Sequence, residues 1–264
     1  MVVIDQMVRA VRFDFPPKRI VSLVPSQTEY LADLGLEENL VGITKFCIHP
    51  AHLKECAVRV GGTKDFSIQK IVALKPDLVI GNKEENDQKL IEELEKRNVP
   101  VWMSKIETVE DALQMMKGIG ELVGRQEQAA SIINKVKQSW TDIISLDKSR
   151  QVAYLIWKNP WMAAGADTYI SNVLKNLGFE NVFSNISHNR YPQFDLEILS
   201  GLKPEEVFLS SEPYPFKSKH IEEIKYALPE ANVRLVDGEM FSWYGSRMIG
   251  ALDYFRVLLS QIDK

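Results

Sequence analysis

Apolar residues fall into two kinds of pattern along this chain. Short solid runs occur at Ile20–Val24, Leu40–Thr44, Leu78–Gly81, Val99–Met103, Val152–Trp157, Asn181–Phe183 and Val233–Val236. Runs of this length that do not alternate with polar residues predict strands buried on both faces. Between them the apolar spacing turns helical. After Pro25, Ser26 reads as an N-cap with Glu29 three residues on as its capping-box partner, Tyr30, Leu31 and Leu34 follow, and Gly35 stops the helix. Tyr169–Leu177 and Ser246–Ile262 read as further helices, Asn159-Pro160-Trp161 as a loop and Asp237-Gly238 as a turn. Residues 2–13 predict a hairpin about Asp5-Gln6-Met7, closed by Pro16-Pro17. Strands alternating with helices predict an α/β protein whose sheets are mostly parallel.

One sentence of the chain is written twice. FSIQKIVALKPDLVI, Phe66 to Ile80, returns as FDLEILSGLKPEEVF, Phe194 to Phe208. Phe66 matches Phe194, Leu74 matches Leu202, and Lys75-Pro76 matches Lys203-Pro204 at constant offset. Each copy reads as a short helix, a Lys-Pro turn and a buried strand, so the chain is expected to hold two similarly built Rossmann-like lobes. The stretch from Thr108 to Ser145 differs. Val109, Leu113, Met116, Ile119 and Val123, then Ala129, Ile132, Val136, Trp140 and Ile143/Ile144, have helical period. Its second helix, of about 20 residues, would be roughly 30 Å long and would join the halves as a stiff spacer. The expected division is therefore 1–107, a connector at 108–147, and 148–264.

Composition narrows the function. Net charge is −4 at pH 7, which excludes a general nucleic-acid or anionic-membrane binder. No apolar run approaches the ~20 residues that span a bilayer, so no membrane insertion is expected. MVVIDQMVRAVRF lacks the pattern of a signal peptide, so the chain reads either as cytoplasmic or as beginning at a mature domain. A monomer is expected.

Ligands of parallel α/β sheets sit beyond the carboxyl ends of the strands. That rule selects Ser26, Gln27, Lys45, Phe46, Lys64, Asn82 and Lys83 in the first half, and Trp161, Arg190, Tyr191, Trp243, Tyr244 and Arg247 in the second. Aromatic and basic groups together suit a ring-rich ligand that carries negative groups. Cys47, His49, His52 and Cys56 lie close in sequence, but C-x-H-x2-H-x3-C departs from zinc-site spacing. The narrower expectation is that Cys47 or His49 meets the metal of a bound chelate. There is no G-x-S-x-G, no complete phosphate loop and no G-x-G-x-x-G after a strand, so no catalytic residues are expected.

RIVSLVPSQTEYLADLG, VGGTKDFSIQKIVALKPDLVIGN and YPQFDLEILSGLKPEEVFLS resemble the helical-backbone (class III) substrate-binding proteins of ABC importers, above all the vitamin B12-binding subgroup, with ferric-siderophore and haem binders as relatives. The resemblance runs over nearly the whole chain. It implies two α/β lobes joined by one long helix, and cobalamin or a similar metal chelate held between them as ligand, with no covalent cofactor. It also implies the membrane subunits of an importer as partner, and an extracytoplasmic location if a signal has been removed. Phe46, Tyr191 and Trp243 would pack on a corrin. Lys64 stands where a B12 binder carries Trp, which favours an anionic chelate. The family docks through one glutamate per lobe; the matching positions here are Gln69 and Glu197, so one contact loses its charge assistance. Two other readings stay open: a cytoplasmic chelate carrier or sensor using the same site, and a metal-dependent enzyme using Cys47, His49 and Glu84. The stiff connector implies a small change in radius of gyration when ligand binds.

Overall fold

The structure is a computed structural model and describes residues 1–141, 145–184, 186 and 189–262. The expected helical positions Ile143 and Ile144 lie outside those residues. Two compact units emerge. The first comprises Met1–Ile106, Glu110–Gln138 and Tyr244–Ile249; the second comprises Glu107–Val109, Ser139–Trp243 and Gly250–Lys264.

The first unit opens with a hairpin of β1 (Val2–Ile4) and β2 (Ala10–Arg12), paired antiparallel with Val3 opposite Val11. Its turn has no glycine. Asp5 organises it instead, its carboxylate accepting from the Met7 and Arg9 amides at 2.9 Å each and from the Arg9 guanidinium. Then come β3 (Ile20–Ser22), α1 (Pro25–Asp33), β4 (Leu40–Ile43), α2 (Leu53–Cys56), β5 (Val58–Arg59), α3 (Ile68–Ala73), β6 (Leu78–Asn82), α4 (Gln88–Lys96) and β7 (Val101–Ser104). The strands form one parallel sheet in the order β5-β4-β3-β6-β7. Its core gathers Val21, Leu23, Ile71, Val79 and Leu94, all fully buried. α5 (Val109–Leu122) buries Ala112, Met115, Met116 and Ile119. α6 (Gln126–Thr141) has 16 described residues and so is about 24 Å long.

The second unit contains β8 (Arg150–Trp157), β9 (Trp161–Ala163), α7 (Tyr169–Asn176), β10 (Phe179–Asn181), β11 (Gln193–Phe194), α8 (Leu196–Leu202), β12 (Glu206–Ser210), α9 (Ser218–Ala227), β13 (Asn232–Val236), α10 (Gly238–Ser242) and α11 (Met248–Ser260), whose first residues belong to the first unit. The sheet order is β11-β9-β8-β12-β13, with β10 also on β8. β10, β8, β12 and β13 run parallel, whereas β9 is antiparallel to both its neighbours.

The repeat is a repeat of structure. In both copies the helix N-cap side chain accepts from the amide three residues on, Ser67 from Lys70 and Asp195 from Ile198. Lys75 and Lys203 both adopt left-handed backbone, at φ 46° and 49°, and the proline after each stops the helix. The strand that follows then pairs with the strand that comes first in the chain in its own larger sheet, Ile20 in β3 opposite Leu78 and Val152 in β8 opposite Glu206.

Four local expectations are corrected. α1 has Val24 as N-cap with no side-chain bond, and Pro25 opens the helix. Proline at this position needs no partner for its missing N–H and presets φ, so Ser26 is drawn inside the helix and buried. Trp161 is not in a loop; it opens β9. Asp237 does not make a turn but caps α10, its Oδ1 accepting from the Glu239 amide at 3.1 Å. The last helix begins at Met248 rather than Ser246 and ends at Ser260.

Candidate functional site

In the first unit the carboxyl ends of the parallel strands stand over a polar floor. Ser104 at the end of β7 accepts from Gln27 Nε2 at 2.6 Å and from Asn82 Nδ2 at 2.9 Å, and donates to the Gly81 carbonyl at 3.1 Å. Asn82 Oδ1 accepts from the Glu84 amide at 2.7 Å, and Asn86 bonds the Leu23 and Thr63 carbonyls. These amides tie neighbouring loops together. Gln27 and Asn82 are themselves buried, at 0% and 1% exposure; Gln27 Nε2 and both ends of the Asn82 amide are bonded within the floor, whereas Gln27 Oε1 is buried without a hydrogen-bond partner among the described residues.

Above that floor sit exposed groups. Phe46, just past β4, is 51% exposed, with the Lys45 ammonium 5.0 Å over its ring and 3.6 Å from Asp65. Lys64 donates to the Glu84 carbonyl, and Lys83 at the end of β6 is exposed. Cys47 is buried, its sulfur 3.1 Å from Thr28 Oγ1 and 3.3 Å from Thr44 Oγ1. Burial pushes its thiol up, and hydrogen bonds from Thr28 and Thr44 oppose this only in part. His49 is half-buried, His52 pairs with Glu37 at 3.1 Å, and Cys56 is exposed. Among the described residues no three His, Cys, Asp or Glu side chains gather as a metal site.

The segment Tyr244–Ile249 belongs to the first unit although its neighbours in sequence do not. Arg247 makes a two-pronged contact with Glu29 at 2.8 and 2.6 Å, and Ser246 donates to Asp33. Gly245, at φ 110°, lies against Tyr30, where an added Cβ would come within 3.3 Å of the tyrosine's own. A ligand carboxylate would have to compete with Glu29 for Arg247. Tyr244 is buried.

In the second unit, Trp157 ends β8 and is 39% exposed. Tyr214 meets its ring edge-on at 5.7 Å. Trp161 is occupied: Phe216 stacks on it at 6.0 Å and the Lys158 ammonium lies 5.0 Å over it, while Lys158 also pairs with Glu223. Trp243 is buried, its Nε1 donating to Glu212 Oε1 at 2.8 Å. Burial pushes the Glu212 carboxyl up; Ser242 and Trp243 oppose this, and Glu239 and Asp237 add to it. Arg190 pairs with Glu107 at 3.1 Å, and Tyr191 is half-buried beside it in sequence. Gln69 and Glu197 occupy equivalent exposed positions in the first turns of α3 and α8.

Of the side chains that the strand-end rule selected, Gln27, Asn82, Trp243 and Tyr244 are buried, whereas Lys45, Phe46, Lys64 and Lys83 are exposed.

The periplasmic binding protein family matches residues 20–231. The vitamin B12-binding protein of Vibrio campbellii is 26% identical over 198 residues, covering 74% of this chain and 71% of that protein. An uncharacterized ABC transporter substrate-binding lipoprotein of Bacillus subtilis is 25% identical over 253 residues, with 90% and 78% covered. Among solved structures, a periplasmic haem-binding protein from Roseiflexus sp. RS-1 superposes with a TM-score of 0.80 at 16% identity, covering 94% of this chain and 99% of that one, and so shares the fold.

Proposed function

Because the chain belongs to the periplasmic binding protein family, we propose that it is the substrate-binding component of an ABC importer, working outside the cytoplasm, and that it captures a metal chelate of the cobalamin, haem or ferric-siderophore class. The observation that carries this reading is the family match across both copies of the repeat, on a chain whose strand-end loops hold ring and cationic groups rather than a nucleophile and its base. Phe46, Lys45, Lys64 and Lys83 are the exposed groups of the first unit best placed for contact. Gln27 and Asn82 shape the floor beneath them, and Ser26 is buried next to Gln27 in α1. Glu197 supplies the charged docking contact to the membrane subunits, and Gln69 a neutral one.

The test is to add cyanocobalamin, haem and ferric siderophores to the whole protein and follow absorbance and melting temperature. One chelate is expected to raise the melting temperature and perturb its own absorption band. No change with any of them would sink the reading. A second reading, a chelate carrier that does not dock on an importer, is favoured by the exposed Gln69 alone. Retention of the ligand-loaded protein by vesicles bearing the importer's membrane subunits would exclude it.

A further inference from the structure

Val8, in the turn between β1 and β2, has φ 61° and is 83% exposed. A β-branched side chain is strained in left-handed backbone, where asparagine or glycine sits easily. Leaving its apolar surface in water is unfavourable as well. The turn itself explains neither cost. Asp5 sets it, the main-chain carbonyl accepting from the Val8 amide at 3.0 Å and the carboxylate from the Met7 and Arg9 amides. The Val8 side chain takes no part in these bonds, so any residue that tolerates positive φ would close the turn as well or better. A strained residue kept at such a place points to a use for its side chain.

The hairpin holds that side chain out firmly. Asp5 Oδ2 accepts from the Met103 amide of β7 at 3.2 Å. Gln6 donates to the Asp111 carbonyl of α5 at 3.0 Å and accepts from the Lys105 amide at 3.1 Å. Arg9 pairs with Glu95 at 2.6 Å and donates to the Val101 carbonyl at 3.1 Å, and Met7 packs against the core of the sheet. Val8 is thus an apolar point on an anchored turn. More apolar surface follows along the ribbon. Val2 and Ile4, 55% and 64% exposed, alternate with Val3, whose partner Val11 is buried, so both stand on the outer face of β1. Residues 1–19 carry four cationic side chains, Arg9, Arg12, Lys18 and Arg19, against Asp5 and Asp14, on a chain whose net charge is −4. Arg12, opposite Val2, and Lys18 are exposed and make no ion pair among the described residues. The apolar side chains project rather than line a recess, and the unused charge near them in sequence has one sign. That combination fits the surface of an anionic bilayer better than a shaped protein partner. The acidity of the whole chain limits the contact to this one element.

We propose that the N-terminal hairpin is a membrane-contact element, in which Val8 and Ile4 enter the headgroup region of an anionic bilayer while Arg12 and Lys18 meet lipid phosphates. The contact goes beyond the transport reading and needs no chelate. Its test is co-sedimentation of the whole protein with vesicles of phosphatidylcholine alone and of phosphatidylcholine mixed with phosphatidylglycerol. The protein is expected to partition onto the mixed vesicles, and added salt to release it. Val8→Asn suits the positive φ, so it should hold or raise the melting temperature while lowering partitioning about tenfold. Val8→Leu should keep the partitioning, and Ile4→Ser should lower it. Arg12→Gln combined with Lys18→Gln should erase the preference for anionic lipid. Absence of wild-type partitioning onto the mixed vesicles, or equal partitioning by Val8→Asn, would overturn the inference. So would self-association in sedimentation velocity that Val8→Asn abolishes, which would assign the hairpin to a second copy of the chain. None of these results touches the chelate titrations, so this inference and the transport reading fail separately.

Discussion

Residues 66–80 and 194–208 fold alike and are stabilised differently. Each starts with a capped helix, passes through a left-handed lysine and a proline, and enters a strand buried on both faces. Even the acid before the strand is used in the same way: Asp77 accepts from the Lys18 and Arg19 amides, and Glu205 from the Gln151 amide. The next position breaks the match. Leu78 and Glu206 are both 0% exposed, one an alkyl side chain and the other a carboxylate. Glu206 accepts from Arg234 at 3.0 Å, from Asn232 at 3.1 Å and from Arg150 at 3.5 Å. One backbone plan thus accepts an apolar or an ionic solution at one buried site, provided the ion brings its partners.

The largest effect is expected there. Arg234→Met should destabilise the protein by about 3 kcal/mol in denaturant unfolding, because the buried Glu206 loses its shorter arginine contact and keeps only Arg150 and Asn232. Replacing Arg150 and Arg234 by Met together with Glu206→Leu, which copies Leu78, should recover most of the loss. A triple variant as unstable as the single one would show that the two copies are not interchangeable at this position.

Next in size is the difference on the exposed helix faces. If α3 and α8 offer equivalent docking points, Gln69→Glu should strengthen association with the importer's membrane subunits and Glu197→Gln should weaken it, each by about 1.5–3 kcal/mol for a charge-assisted contact. Surface plasmon resonance against those subunits reads this directly. Opposite signs would sink the equivalence.

The caps should cost less. Asp195→Ala and Ser67→Ala are each expected to remove about 1 kcal/mol, Asp195 somewhat more because its charge also favours the helix N-terminus. Melting temperatures rank them.

The smallest difference is one of pH. His220 in α9 accepts from the Lys217 amide through Nδ1 at 2.9 Å. Burial pushes its imidazole below the ordinary value, with Lys158, Lys219 and Lys217 adding to the shift and Glu223 opposing it. A lowered folded pKa means that the neutral ring is the folded form. Its contribution is fully present above the unfolded value of about 6.5 and is lost as pH falls through the folded pKa. Hydrogen exchange should show α9 opening more readily below that pH, and His220→Gln should remove the dependence.

The repeat was legible because apolar spacing, a proline and a capping residue act locally, and all three survive in each copy. The sheet class followed from the same spacing. The α1 cap was misread because a proline at the first helical position can open a helix without any side-chain cap. Arg247 and Trp243 look alike in sequence, as basic and aromatic residues in one loop. Nothing local says that Arg247 is paired with Glu29 at a separation of 218 positions, or that Trp243 is spent on Glu212. Such pairings are decided by tertiary packing, as is the burial of Gln27 and Asn82.

The short segment Tyr244–Ile249 has a consequence for anyone who cuts this gene. Neither unit is a continuous length of chain. A fragment ending at Gln138 would keep every strand of the first sheet, yet leave Glu29 and Asp33 without Arg247 and Ser246 and uncover Tyr30. Supplying residues 244–249 as a separate peptide, or rejoining them by circular permutation, is what would make that half self-sufficient. The two copies of the repeat share an architecture, but the finished halves are no longer separable modules.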